Sequence, residues 1–134
     1  MAARDLHNKI KITSVHAKSL ATAAALLDST VIDRANFGAL EFVCNKTAGT
    51  ATTGTFIVTL QSGTASTAST HVAATTSEII GSQTVTMTAT TVAITKFGYI
   101  GSDRFASVSI TAGAATGSIH VLAIQGTALK QPQS

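Results

Sequence analysis

Hydrophobic and polar positions alternate along most of this chain. Leu40, Phe42 and Cys44 fall on one side of an extended segment, with Glu41, Val43 and Asn45 on the other. Phe56, Val58 and Leu60 alternate in the same way with Ile57, Thr59 and Gln61. A period of two sends successive side chains to opposite faces of a strand, so both segments read as half-buried strands. Shorter extended pieces are predicted at residues 10–15, 30–33, 85–88, 91–97, 105–111 and 118–125, with a small edge element at 77–81. About seven or eight short strands result, with turn signals roughly every ten residues. The connections are too short for βαβ crossovers, so the pattern predicts an all-β, antiparallel β-sandwich of jelly-roll-like type.

The clearest turn lies in Lys96-Phe97-Gly98-Tyr99-Ile100-Gly101-Ser102-Asp103-Arg104-Phe105. Two apolar runs meet at a Gly-Ser-Asp turn with an aromatic on each side, which predicts a hairpin built on Gly98, Tyr99, Gly101, Arg104 and Phe105. Tyr99 is expected to bury its ring and anchor its hydroxyl on backbone, and Arg104 to cover the sheet end with its stem. Residues 34–38 read as a turn in which Asn36 and Gly38 tolerate unusual φ. Residues 17–27 are Ala-rich and read as an irregular connection. The Ser-, Thr- and Ala-rich stretch 62–77, which holds His71, reads as an exposed loop or a weak strand. The domain plan is therefore an N-terminal arm at 1–9, one sandwich at 10–126 and a tail at 127–134.

Composition narrows the class. Of 134 residues, 45% are hydrophobic and only 11% charged, which suits one domain with a real core rather than a disordered chain. The net charge of +3 is unevenly placed. Between Lys46 and Lys96 the only formally charged side chain is Glu78, whereas the first eighteen residues hold Arg4, Lys9, Lys11 and Lys18 against Asp5. Cys44 has no partner for an internal disulfide and reads as a buried, inert thiol, in keeping with cytoplasmic synthesis. The longest apolar run, 20–27, is far shorter than the roughly twenty residues of a spanning helix, so no membrane partner is expected.

Candidate chemistry is sparse. His7, His16, His71 and His120 are scattered without zinc-type spacing, and no metal or other cofactor is expected. No nucleophile elbow and no phosphate-cradling loop occurs, so an enzyme is not expected. Asp28, Asp33 and Asp103 stand at turns, where carboxylates accept backbone hydrogen bonds. Aromatics are only 4%, and Phe42, Phe56 and Phe105 read as core, so nucleic acid is not an expected partner.

Several segments, taken in order, resemble a known family. They are Ala3-Arg4-Asp5-Leu6-His7-Asn8-Lys9-Ile10-Lys11, Ile32-Asp33-Arg34-Ala35-Asn36-Phe37-Gly38-Ala39-Leu40-Glu41-Phe42-Val43 and Gly54-Thr55-Phe56-Ile57-Val58-Thr59-Leu60. Gly98-Tyr99-Ile100-Gly101-Ser102-Asp103-Arg104-Phe105, Val108-Ser109-Ile110-Thr111 and Val121-Leu122-Ala123-Ile124 complete the set. The chain is similar to small structural proteins of tailed bacteriophages, encoded near the major capsid protein and described as head-associated. It departs from them in the neutral loop Gln61-Ser62-Gly63-Thr64-Ala65-Ser66, often acidic in the family, and in its ending, which lacks their basic Gly-His-Pro-like tail. The resemblance implies a virion component on the capsid exterior: a decoration or cement protein that binds the major capsid protein and self-associates as a homotrimer. The alternatives are a virion-displayed host- or glycan-binding module and a neck or tail connector. The cation-rich arm supplies the contact candidates Arg4, Leu6, His7, Lys9 and Lys11, expected to order on the capsid or on a neighbouring subunit.

Overall fold

The structure, a computed structural model, describes residues 9–20, 26–28, 30–46, 55–81, 84–88, 93–113 and 117–128. Among these residues eleven strands form two antiparallel sheets. They are β1 (Lys11–Leu20), β2 (Leu26–Asp28), β3 (Ile32–Asp33), β4 (Phe37–Lys46), β5 (Thr55–Gly63), β6 (Val72–Ala73), β7 (Ile79–Ile80), β8 (Thr84–Thr88), β9 (Ala93–Tyr99), β10 (Phe105–Gly113) and β11 (Gly117–Ala128). The first sheet has the order β1-β11-β4-β9-β7. The second has the order β2-β10-β5-β6, with β3 also on β10 and β8 also on β5.

β2 and β3 both pair with β10, at Ser109–Thr111 and Phe105–Ala106 respectively, and together act as one interrupted strand. Counted this way, with β6 and β7 as small additions, eight strands stand in chain order 1-8-3-6 in one sheet and 2-7-4-5 in the other. That is the order of a jelly roll, so the fold is an all-β sandwich with jelly-roll connectivity. Every step between consecutive strands of the eight changes sheet, except the step from β5 to β8.

The core follows from the alternation. Leu40, Phe42 and Cys44 of β4, Phe97 and Tyr99 of β9, and Ile119, Val121 and Ala123 of β11 face Val58 and Leu60 of β5 and Ala106, Val108 and Ile110 of β10. Each fully buried aliphatic or phenyl side chain contributes about 1.5–3 kcal/mol relative to exposure. Phe42 and Phe97 are cross-strand partners, and their rings stack at 5.7 Å with 28° between planes. A bulge in β1 between Ser14 and His16 turns both Val15 and His16 inward.

Four expectations need correction. The segment 98–105 is not a hairpin: β9 lies in the first sheet and β10 in the second, so residues 100–104 arch across the end of the sandwich. The strand expected at 10–15 runs on to Leu20 because β11 offers a twelve-residue template, so 17–20 is strand rather than irregular connection. For the same reason the sandwich does not end at 126; Gly126 pairs with Ala39 and Ala128 with Phe37. The stretch 62–77 does contain a short weak strand, β6, but the other reading, an exposed loop, fails at His71 and Ala74, which are buried. Phe56 and Asp28 lie in strands, but their side chains fall outside the described set.

Candidate functional site

The two sheets present different outer faces. On the first sheet the register lines up Ile12, Ile124, Glu41, Gly98 and Ile80 across all five strands. The next outward-facing row is Ser14, Leu122, Val43 and Lys96, and the third holds His120, Asn45 and Ile94. Ile12 is 56% exposed, Ile80 61%, Ile94 72% and Leu122 39%. Ile100, just past β9, is 57% exposed. Isolated surface aliphatics are ordinary; here Ile12, Ile80, Ile94 and Leu122 share the outer face of one sheet, interspersed with Glu41, Lys96, Asn45 and His120. The face carries one ion pair, Lys96 Nζ to Glu41 Oε1 at 3.9 Å, so it is close to neutral.

A slot of about 230 Å³ is cut into this face. Its walls include Ile80, Ile100 and Ile124, its floor includes Ala39, Gly98 and Gly126, and Glu41 stands at its rim. The glycines create it. A Cβ on Gly98 would meet Glu41 Oε2 at 3.3 Å and Ile80 Cβ at 3.5 Å, whereas a Cβ on Gly126 would meet nothing within 4 Å.

The outer face of the second sheet is different at Ser107, which is wholly buried. Residues 64–71 fold over it, and His71 Nδ1 lies 2.7 Å from Ser107 Oγ while Nε2 lies 2.8 Å from the Ala65 carbonyl oxygen. A carbonyl only accepts, so Nε2 donates to Ala65; in the tautomer that carries its one proton there, Nδ1 accepts the Ser107 hydroxyl. The connectivity imitates a serine–histidine dyad, but the third partner is a carbonyl and no substrate can reach a serine with no exposed surface. The pair is a clasp. Gly63 makes room for it, since a Cβ there would come within 2.6 Å of His71 Cδ2.

The arch at 100–104 is held by Arg34, a residue the sequence reading treated only as part of a turn. Arg34 Nη1 donates to the carbonyls of Gly101 at 2.7 Å and Asp103 at 2.8 Å, and its guanidinium carbon lies 4.7 Å from the Tyr99 ring centre. Tyr99 is 1% exposed and accepts the Asp103 N–H at its hydroxyl, 3.3 Å away, as expected of a structural tyrosine. Gly101 is required here, because a Cβ would sit 2.6 Å from Tyr99 Cζ. Ser62 donates to Asp103 Oδ2 at 2.8 Å.

Asp33 joins the sheets at the same end. Its carboxylate takes a bidentate pair from Arg104, at 2.9 Å from Nε and 2.7 Å from Nη2, and also accepts the Ala35 N–H at 2.9 Å. Its carbonyl accepts from Gln125 Nε2 at 2.8 Å. The Arg104 hydrogen bonds hold the Asp33 carboxyl below the usual carboxylate range; slight burial opposes this, and the Ala35 N–H and the charges of Arg104 and Lys11 assist it. Arg104 also covers the Phe105 ring at 5.0 Å. In the adjoining turn Asn36 takes a φ of 74° while Phe37 N–H donates to the Arg34 carbonyl at 2.9 Å. Gly38, expected to share that freedom, is ordinary strand.

Of the arm candidates, Arg4, Leu6 and His7 lie outside the described residues. Lys9 is half-buried and Lys11 exposed at the start of β1. Cys44 is buried in the core, where burial pushes its thiol up to about 12. Lys46 ends β4 with a buried side chain, and desolvation lowers its pKa. Among the described residues no three His, Cys, Asp or Glu side chains converge as a metal site would require. The outer face and its slot went unread in the sequence because their residues come from five strands, and only the register brings them together. Comparison with protein-family models, with curated proteins and with solved structures finds no match.

Proposed function

We propose that this protein is an adhesive virion component, a capsid decoration or cement protein that docks on the outside of a bacteriophage head through the open face of its first sheet. The observation that carries the reading is the set of exposed aliphatics Ile12, Ile80, Ile94 and Leu122 on one outer face, with half-buried Ile124 among them and, among the described residues, one ion pair. The likeness of the sequence to head-associated phage proteins supplies the partner, the major capsid protein. Jelly rolls also build viral capsid and lectin domains, which agrees with the reading by fold analogy alone.

The size of the face decides how it would work. Five strands about 4.8 Å apart span roughly 19 Å, and the three rows cover about 14 Å along the strands. The footprint is roughly 270 Å², against about 800 Å² per partner in a standard stable interface. One such contact is weak. Several made at once by a homotrimer on a repeating shell bind far more strongly than any one alone, which suits a cement protein. A near-neutral face also avoids the cost of desolvating charges.

The test is occupancy on particles lacking the protein. The purified chain is added back, and bound copies and particle heat resistance are measured. Ile94→Asp combined with Leu122→Asp is expected to lower occupancy more than tenfold while the isolated chain keeps its melting temperature. Unchanged occupancy of the double variant would remove the face from the reading, and a wild-type chain that never binds heads would remove the reading itself.

A further inference from the structure

The arch at 100–104 borders a hollow of about 480 Å³ at the end of the sandwich. Arg34, Ala35, Ser102, Asp103 and Arg104 line it. The fold brings its two arginines together here, since the Arg34 N–H donates to the Arg104 carbonyl at 2.9 Å. The hollow adjoins the open face of the first sheet. Ile100 lines the slot and Gly101 the hollow, and Gly38 and Phe37 divide in the same way.

The two guanidiniums differ in what answers their charge. Arg104 has a counterion: Nε and Nη2 donate to the Asp33 carboxylate, which leaves Nη1. Arg34 is half-buried and, among the described residues, has no ion-pair partner. Its Nη1 is spent on two backbone carbonyls. Its Nε is buried with no hydrogen-bond partner, and among the described residues Nη2 has no bonded acceptor. A buried N–H without an acceptor is costly. Nε and Nη2 form the edge that Arg104 turns to Asp33, the fork that suits a carboxylate. On Arg34 that edge is unanswered.

We propose that the hollow is a receptor for one carboxylate of a protein partner, held by Arg34 Nη2 and Arg104 Nη1. Asp103 selects the charge. Its Oδ2 is held by Ser62 at 2.8 Å, and it lines the same hollow. A doubly charged phosphate would meet that like charge, whereas a single carboxylate balances the one cation without a counterion. The volume lies within the range of ligand pockets, about 300–1,000 Å³, so the carboxylate enters with the residue that carries it. A partner seated on the open face lies beside the hollow, where a fixed charge pair sets its orientation. The inference goes beyond the proposed function and does not need the capsid.

Titration of the ¹⁵N-enriched full-length chain tests it. Sodium acetate replaces sodium chloride at fixed pH and ionic strength, and acetamide serves as the neutral control. The amide signals of Gly101, Ser102 and Asp103 and the Nε–H signal of Arg34 are expected to follow one saturating curve with a millimolar dissociation constant. Acetamide is expected to leave them in place. N-acetylglycine and the amide of N-acetylaspartic acid then separate the two sources, a chain-end carboxylate and an acidic side chain; tighter binding of either supports the proposal and names the source. Arg34→Lys keeps a positive charge without the fork, and Arg104→Gln leaves the Arg34 clamp on the arch in place. Each is expected to weaken binding about tenfold, as for the loss of one hydrogen bond to a charged group. Shifts that rise without saturating, that appear equally with acetamide or that are unchanged in both variants would overturn the proposal. No particle enters the experiment, so its failure leaves the capsid reading standing.

Discussion

The two outer faces of this sandwich reverse the usual arrangement. Over Ser107 on the second sheet, where the outward side chain is polar, the protein covers itself with its own loop and ties that loop down through His71. On the first sheet four aliphatic side chains, Ile12, Ile80, Ile94 and Leu122, stand in the open among Ser14, Glu41, Asn45, Lys96 and His120. A protein that needed only to be stable would place its cover the other way round, since burying apolar area is what stabilises a fold. The proposed docking role would account for leaving those aliphatics uncovered.

The sharpest way to break this comparison is to weigh the shared core against the open face. Ile110, wholly buried, and Leu122, on the outer side of β11, differ mainly in what lies over them. Ile110→Ala is expected to destabilise the isolated chain by about 2–5 kcal/mol, through lost transfer energy and a cavity. Leu122→Ala should stay within about 0.5 kcal/mol, as for an ordinary surface change. Urea unfolding of the two variants decides it. A large loss at Leu122 would mean that the face is already covered within the monomer, and the contrast between the sheets would disappear.

Much of this architecture was legible beforehand, and what was not has a common cause. Period-two alternation named the inward side chains of β4 correctly and predicted the sandwich, because that pattern is local. The same alternation in β11 leaves His120 exposed between buried Ile119 and Val121. Alternation does not say which strand lies alongside which. The Gly-Ser-Asp turn signalled a reversal of direction, but not whether the strands pair or cross between sheets, and the deciding contact is Arg34, far away in sequence. The slot is similar: Gly38, Gly98 and Gly126 lie far apart in sequence, and only the long-range register sets them around one space. Strand extents failed for the same reason, since β1 and β11, the first and last strands, lengthen each other.

The next prediction concerns the covered face. Replacing His71 removes the acceptor for Ser107 and the donor to Ala65, and leaves a buried hydroxyl without its partner. His71→Ala is expected to cost about 1–3 kcal/mol and to speed hydrogen exchange over residues 64–78 more than elsewhere. If it costs no more than Leu122→Ala, the loop is resting on the sheet and not fastened to it, and the two faces differ in composition alone.

The smallest expected effect lies at the end of the sandwich, where both faces meet. Asp33 is held below its ordinary pKa chiefly by the hydrogen bonds from Arg104. A carboxylate with a depressed folded pKa adds stability above its unfolded value, near 3.9, and loses it as pH falls through the folded value. The wild type should therefore exceed Asp33→Asn in stability near pH 6, and the gap should narrow as pH is lowered toward about 3. The gap should be smaller than that of His71→Ala, because the side chains of Arg104 and Asp33 are 60% and 43% exposed and water screens the pair. Melting temperatures of both proteins across that range measure it. A gap that stays unchanged on acidification would show that the charge of Asp33 adds nothing, leaving its carbonyl contact to Gln125, which Asp33→Asn keeps, to hold the end together.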